Sequence, residues 1–180
     1  MDISSVRHFH KNQDLCFQFI SVINEYVESI QSCNNLNIEK RLKGGLDIAL
    51  RIITGSHASF ISKSFFEYLN IEGIKDNPFN FIWEDRLRFG KILINNRKLG
   101  IAVWEHTIPI KEFRENLINS SSEIEISEKI KEYPGVAWIT RQEDIMLSKL
   151  GYRQNRPGGF LQCYECAGIE LLNEDMYSKK

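Results

Sequence analysis

The stretch GVAWITRQED, residues 135–144, changes character at a single threonine. Before it, Val136 to Ile139 is an apolar run with β-branched and aromatic members, the composition that suits a pleated and buried surface. After it, Thr140 and Glu143 have the spacing of a capping box, in which the threonine hydroxyl accepts from the amide three residues on and the glutamate reaches back to the threonine amide. The reading is strand, turn, helix. The helix closes at Gly151, where a glycine can take the left-handed conformation that ends helices.

Working back from this unit, FGKILIN and LGIAVWEH flank Asn95-Asn96-Arg97-Lys98 and read as an antiparallel hairpin with a polar turn. Pro109 suits the first turn of a helix, having no N–H to leave unsatisfied, and Ile110, Phe113, Leu117 and Ile118 form that helix's inner face. Ser122 and Glu125 again have capping-box spacing, for a helix through Ile126, Ile130 and Tyr133 that ends at Pro134. Working forward, YRQNRPGGFLQCYECAGIEL offers a basic loop, a Pro157-Gly158-Gly159 turn and a final strand carrying the CYEC pair.

The first 75 residues have a helical period. Leu15, Phe19, Val22, Ile23, Tyr26, Val27 and Ile30 lie on one stripe, and Leu42, Leu46, Ala49, Leu50 and Ile53 on another. The second helix contains Gly44-Gly45, a weak point or a place for close approach by a neighbour, and should end near Gly55. Ser56 or Ser59 is placed to cap a third helix bearing Phe60, Phe65, Phe66, Tyr68 and Leu69. The expected architecture is one α+β domain over residues 1–180. A helical portion, about 1–75, packs on a small, mainly antiparallel sheet with C-terminal helices in a mixed portion, about 76–175. A chain of 180 residues is long enough for one full core.

With 42% hydrophobic and 26% charged residues, the composition is that of a globular protein and leaves no disordered arm. A net charge of -1 argues against a uniformly basic nucleic-acid-binding surface, though not against a local patch. No apolar run is long enough to span a membrane, and MDISSVRHFHKNQ has no apolar signal core, so a cytoplasmic location is expected. Cys16, Cys33, Cys163 and Cys166 are too few for a disulfide scaffold. A structural zinc held by Cys163 and Cys166 with His8 and His10 is disfavoured, because HxH is a weak ligand pair. No Walker A, GxGxxG, GxSxG or HExxH is present.

The residues that carry chemistry are those of EHTIP, 105–109. An acid and a histidine at a strand end, followed by an aliphatic position and proline, resemble the first motif of HNH nucleases. That resemblance implies a metal-dependent phosphodiesterase with His106 as general base and Glu105 as ligand to Mg²⁺ or Mn²⁺. Those enzymes continue through a glycine-rich loop into a second strand, whereas this chain goes directly into a helix. The other reading of His106 is architectural, an imidazole that positions the turn before Pro109. Arg86, Arg88, Arg153 and Arg156, with Tyr152 able to stack, are expected to contact nucleic acid. Arg51 and His57 fall in the loose spacing window of HEPN ribonucleases, a coincidence common in a chain of this composition.

Beyond EHTIP, residues 100–172 resemble a family of uncharacterised proteins from bacterial mobile elements and prophages. The resemblance rests on His106, Pro109, Trp138-Ile139-Thr140, Glu143-Asp144, Arg153, Pro157 and Gly168-Ile169. It implies a context of genome defence, counter-defence or element mobility. Two functions follow as expectations: a nuclease, or a non-catalytic, protein-binding inhibitor or regulator of a nucleic-acid machine. Its partner would be nucleic acid or a nucleic-acid-processing protein. A dimer is expected by analogy alone.

Overall fold

A computed structural model describes residues 13–55 and 58–177, with side chains from Phe19 onward in the first helix. His8, His10, Ser56 and His57 and the side chains of Leu15 and Cys16 lie outside what it describes, and with them the HxH half of the zinc proposal, the Ser56 cap, the Arg51–His57 pair and the first member of the α1 stripe. The described chain is an α+β fold. It divides into two compact units, one formed by the residues through Thr54 together with Ile110–Pro134, the other by Gly55–Pro109 and the chain from Gly135.

The first unit is helical. α1 (Gln13–Gln31) and α2 (Leu36–Thr54) pack with α4 (Ile110–Ile118) and α5 (Glu123–Lys131). The apolar stripes find their places: Ile20, Ile23, Val27 and Ile30 of α1 and Leu46, Ala49, Leu50 and Ile53 of α2 are buried. Val22 of α1 is 40% exposed instead, on the edge of its stripe. Gly45 permits close approach, since a Cβ there would come within 2.7 Å of Tyr26 Oη. Helix α4 begins one residue after Pro109 and buries Ile110, Phe113 and Leu117. Ser122 caps α5 through the Glu125 amide, but the Glu125 carboxylate turns to the amide and hydroxyl of Ser121 rather than closing the box. Lys129 and these Ser121 donors hold the Glu125 carboxyl down at about 2.

The second unit is built on a four-stranded sheet in the order β4-β5-β1-β6. β4 (Ala102–His106) runs antiparallel to β5 (Val136–Thr140), β5 parallel to β1 (Ala58–Ser62), and β1 antiparallel to the short β6 (Leu171–Leu172). β1 corrects the expectation of helix from residue 56. ASFIS extends as a strand because it completes the sheet beside β5, and Ser62 then accepts from the Phe65 amide to cap α3 (Lys63–Ile71). A short apolar run has no period that distinguishes strand from helix, so the distant partner decides.

A separate two-stranded ribbon, β2 (Lys91–Ile94) and β3 (Arg97–Gly100), turns on Asn95 and Asn96. Both asparagines have positive φ, 48° and 61°, as a two-residue hairpin turn requires. The expected hairpin therefore exists, but LGIAVWEH divides at Ile101, and its second half crosses to the main sheet as β4.

The expected strand-turn-helix unit forms as read. Thr140 Oγ1 accepts from the Glu143 amide and Glu143 Oε2 accepts from the Thr140 amide, at 3.3 and 2.7 Å, opening α6 (Arg141–Lys149). The same carboxylate oxygen accepts from the hydroxyls of Thr140 and Ser62, at 2.9 and 2.7 Å, and so ties together the ends of the adjacent parallel strands β5 and β1. Glu143→Ala removes these acceptors and the reciprocal half of the capping box, while the Thr140 hydroxyl keeps the amide of residue 143. It is expected to lower the unfolding free energy by about 2–3 kcal/mol, read as a shift of the urea midpoint with unchanged slope.

Each face of the main sheet carries a core. Trp138 lies on one, with rings of Phe65, Phe81, Phe89 and Trp104 within 4.7–6.5 Å of it. Ala137, Ile139, Leu147, Tyr164 and Ile169 form the other. Tyr164 belongs to α7 (Phe160–Cys166), which corrects the expectation that CYEC sits on a strand. Phe160, Cys163, Tyr164 and Ala167 recur at helical spacing; Phe160, Tyr164 and Ala167 pack in this second core, and Cys163 is buried.

Candidate functional site

β4 places the EHTIP residues. Along a strand successive side chains face opposite sides of the sheet, so Ala102, Trp104 and His106 share the Trp138 face while Val103 and Glu105 share the Tyr164 face. The register agrees, since His106 lies opposite Val136 and Glu105 opposite Ala137. Glu105 and His106, adjacent in sequence, are thereby directed to different cores. Thr107 closes the end of the β4–β5 pair. Its amide and its hydroxyl both donate to Gly135 O, at 3.2 and 2.6 Å, and Gly135 has a φ of 97° that suits a residue without a Cβ.

On the Tyr164 face, Glu105 Oε1 accepts from Arg156 Nη2 at 2.7 Å. The Arg156 side chain is 1% exposed and that of Glu105 23%. The loop after α6 brings the arginine here: Gly151, at φ 82°, turns the chain out of the helix, and the Gly159 amide donates to Arg156 O at 2.9 Å before α7 begins. The guanidinium carbon stands 5.6 Å from the centre of the Tyr164 ring. Burial drives the Tyr164 phenol well above its ordinary value; the Glu105 charge adds to this and Arg156 opposes it. At this pair, a desolvated cation is neutralised by a carboxylate and covered by an aromatic ring.

The other expected contacts are dispersed. Arg153 is exposed on the same loop, while Tyr152 is half-buried against the Tyr164 core. Burial and the neighbouring thiols of Cys166 and Cys163 raise the Tyr152 phenol. Arg86, in the 3-10 turn Trp83–Leu87, donates to Trp83 O and lies over the exposed indole. Arg88 donates to Asp76 and Asp85, at 2.8 and 3.1 Å, and these hydrogen bonds raise it further. With Asn77, Asn80 and Phe81 these three charged residues line an open hollow of about 450 Å³.

Magnesium and manganese take shells of several oxygen ligands, with imidazole suited to the softer transition metals. The Glu105 carboxylate already shares an oxygen with a guanidinium, and the adjacent imidazole is on the other face. Among the described residues, no three His, Cys, Asp or Glu side chains come together in a metal-holding group. Cys163 is buried with its thiol donating to Pro157 O at 3.3 Å, whereas Cys166 is exposed. Among the described residues no helix is long and apolar enough to cross a membrane.

Sequence reasoning singled out Glu105 and Arg156 for separate duties and did not pair them. It passed over Tyr164, whose helical spacing with Phe160 was the available signal, and the cations of the ribbon, Lys91, Arg97 and Lys98. No protein-family model, curated protein or solved structure matches the chain.

Proposed function

We propose that the protein is a non-catalytic nucleic-acid-binding protein, acting as an inhibitor or regulator in genome defence or on a mobile element. One observation carries the non-catalytic part: Glu105 is committed to the buried Arg156 and faces away from His106, so the acid and the imidazole of EHTIP do not converge on one reacting atom. The motif then serves the architecture. Glu105 anchors the loop after α6, Thr107 closes the sheet and Pro109 leads into α4. The nucleic-acid part is supported by charge placement. From Arg86 to Trp104 the chain carries five cations and no carboxylate, and of these Arg88 is paired with Asp76 and Asp85, within a protein of net charge -1. Exposed Arg153 adds a further positive charge on another loop, and the resemblance to mobile-element proteins favours the same context.

The phosphodiesterase reading is favoured by one feature of its own. β4 ends at a half-exposed histidine, pairs with β5 and is followed through β5 by α6 against both strands, which is a strand-strand-helix order with α4 and α5 inserted. There His106 would be the base, with Mg²⁺ or Mn²⁺ supplied from solution.

Fluorescence anisotropy with labelled duplex DNA, single-stranded DNA and RNA, from about 50 to 200 mM salt, tests the binding proposal. Retention of at least one of them that weakens as salt rises is expected. No binding to any at the lowest salt would overturn it.

A further inference from the structure

We infer that the β2–β3 ribbon is an arm that enters the major groove of double-stranded DNA. This rests on the nucleic-acid-binding reading and goes beyond it by naming the partner and the element that meets it. The ribbon is a sheet of its own, and none of its residues is fully buried. Its two faces differ. Ile92, Ile94 and Leu99 are partly covered, while Lys91, Leu93 and Lys98 point to solvent, with Leu93 68% exposed. The register places Lys98 opposite Leu93 and Arg97 opposite Ile94, next to the asparagine turn, so the outer face and tip combine cations with side-chain amides.

An isolated two-stranded hairpin is marginally stable in water, so this one needs support from its base. Gly90 provides it, donating to Tyr68 Oη and accepting from the Ile101 amide, both at 2.9 Å. Arg141, the first residue of α6, adds a hydrogen bond from Nε to Gly100 O at 3.3 Å. The arm is held at one end, next to Lys91, and presents Arg97 and Lys98 toward the other.

The geometry selects among nucleic acids. Two strands about 4.8 Å apart, and four residues spanning roughly 13 Å, match a B-form major groove about 12 Å wide. The A-form major groove of duplex RNA is deep and narrow and does not admit such an element. Lys91, Arg97 and Lys98 would lie along phosphates, Asn95 and Asn96 would reach base edges, and Leu93 suits an apolar contact such as a thymine methyl.

The test compares the full-length protein with K91A/R97A/K98A and, separately, with Leu93→Glu, which leaves the cations in place and sets a carboxylate between Lys91 and Lys98. The probes are matched duplexes of DNA and RNA, with thermal melts as a control for folding. Tighter binding of duplex DNA than of duplex RNA is expected. Between about 50 and 200 mM salt, wild type should lose roughly 40-fold more affinity for DNA than the triple variant, the difference that three phosphate contacts make. Leu93→Glu should weaken DNA binding while melting as wild type does. If DNA is bound but both variants bind like wild type, or if duplex RNA is bound equally well, the groove-arm assignment is overturned and the general binding proposal stands. If no nucleic acid is bound, both fall.

Discussion

Glu105→Ala is expected to destabilise the protein by about 3–5 kcal/mol, and for a chain of this size to lower its melting temperature by on the order of 10 °C. The reason is the asymmetry of the pair. Arg156 has a side chain 1% exposed, so truncation of Glu105 takes a counter-charge and an acceptor at 2.7 Å away from a guanidinium that stays desolvated. Arg156→Met leaves a carboxylate that is 23% exposed and can be hydrated in place, so its cost should be clearly smaller. Replacing both, Glu105→Leu with Arg156→Met, removes the two charges together and should recover much of the loss, because a buried pair exchanged for apolar groups of similar volume is often neutral. Chemical denaturation of the four proteins gives the coupling directly. Coupling near zero would mean that the pair does not hold the loop after α6.

Trp138→Ala should have an effect of similar size for a different reason. Trp138 is fully buried on β5, and its ring meets those of Phe65, Phe81, Phe89 and Trp104. Truncation leaves a cavity among rigid rings that cannot collapse into it, at a cost of about 3–5 kcal/mol. Trp138→Phe retains most of the ring and should lose markedly less. A calorimetric melt of each variant checks the order, and equal melting temperatures for the two would show that this cluster is not the core of the sheet.

How much of this was legible before the structure depends on whether the signal was local. The Thr140–Glu143 capping box and the stripes of α2, α4 and α5 are spelled out within a few residues each and formed; the α1 stripe formed with Val22 left exposed, and the hairpin formed with its turn confined to Asn95-Asn96, because Arg97 and Lys98 pair as part of β3. β1 was not legible, because ASFIS takes its conformation from pairing with residues 136–138, far along the chain. Nor was the pairing of β4 with β5, which are separated in sequence by α4 and α5. The Glu105–Arg156 pair spans 51 positions and no spacing rule reaches that far. Two features were present and went unread. Neighbouring residues on a strand face opposite sides, which already separated Glu105 from His106, and Phe160, Cys163, Tyr164 and Ala167 had helical spacing.

The candidate site follows the same division. EHTIP was recognisable as a junction of strand and helix, and that is its place in the fold. What the string could not convey was the company each side chain keeps. Glu105 acquires a buried cation through a contact made by a distant segment, while His106 takes the opposite face of the sheet. A five-residue resemblance carries chemistry only when the distant segments also arrive, and beside Glu105 the arriving group is a guanidinium.

We propose that EHTIP builds the fold and does not perform hydrolysis. Its most direct test is incubation of wild type and His106→Ala with end-labelled duplex DNA and with RNA, in Mg²⁺ and in Mn²⁺, followed by denaturing electrophoresis. The account predicts intact nucleic acid in every lane, with duplex DNA binding by the two proteins alike in a parallel native gel. Cleavage by wild type that disappears in His106→Ala would contradict it and establish His106 as a catalytic base.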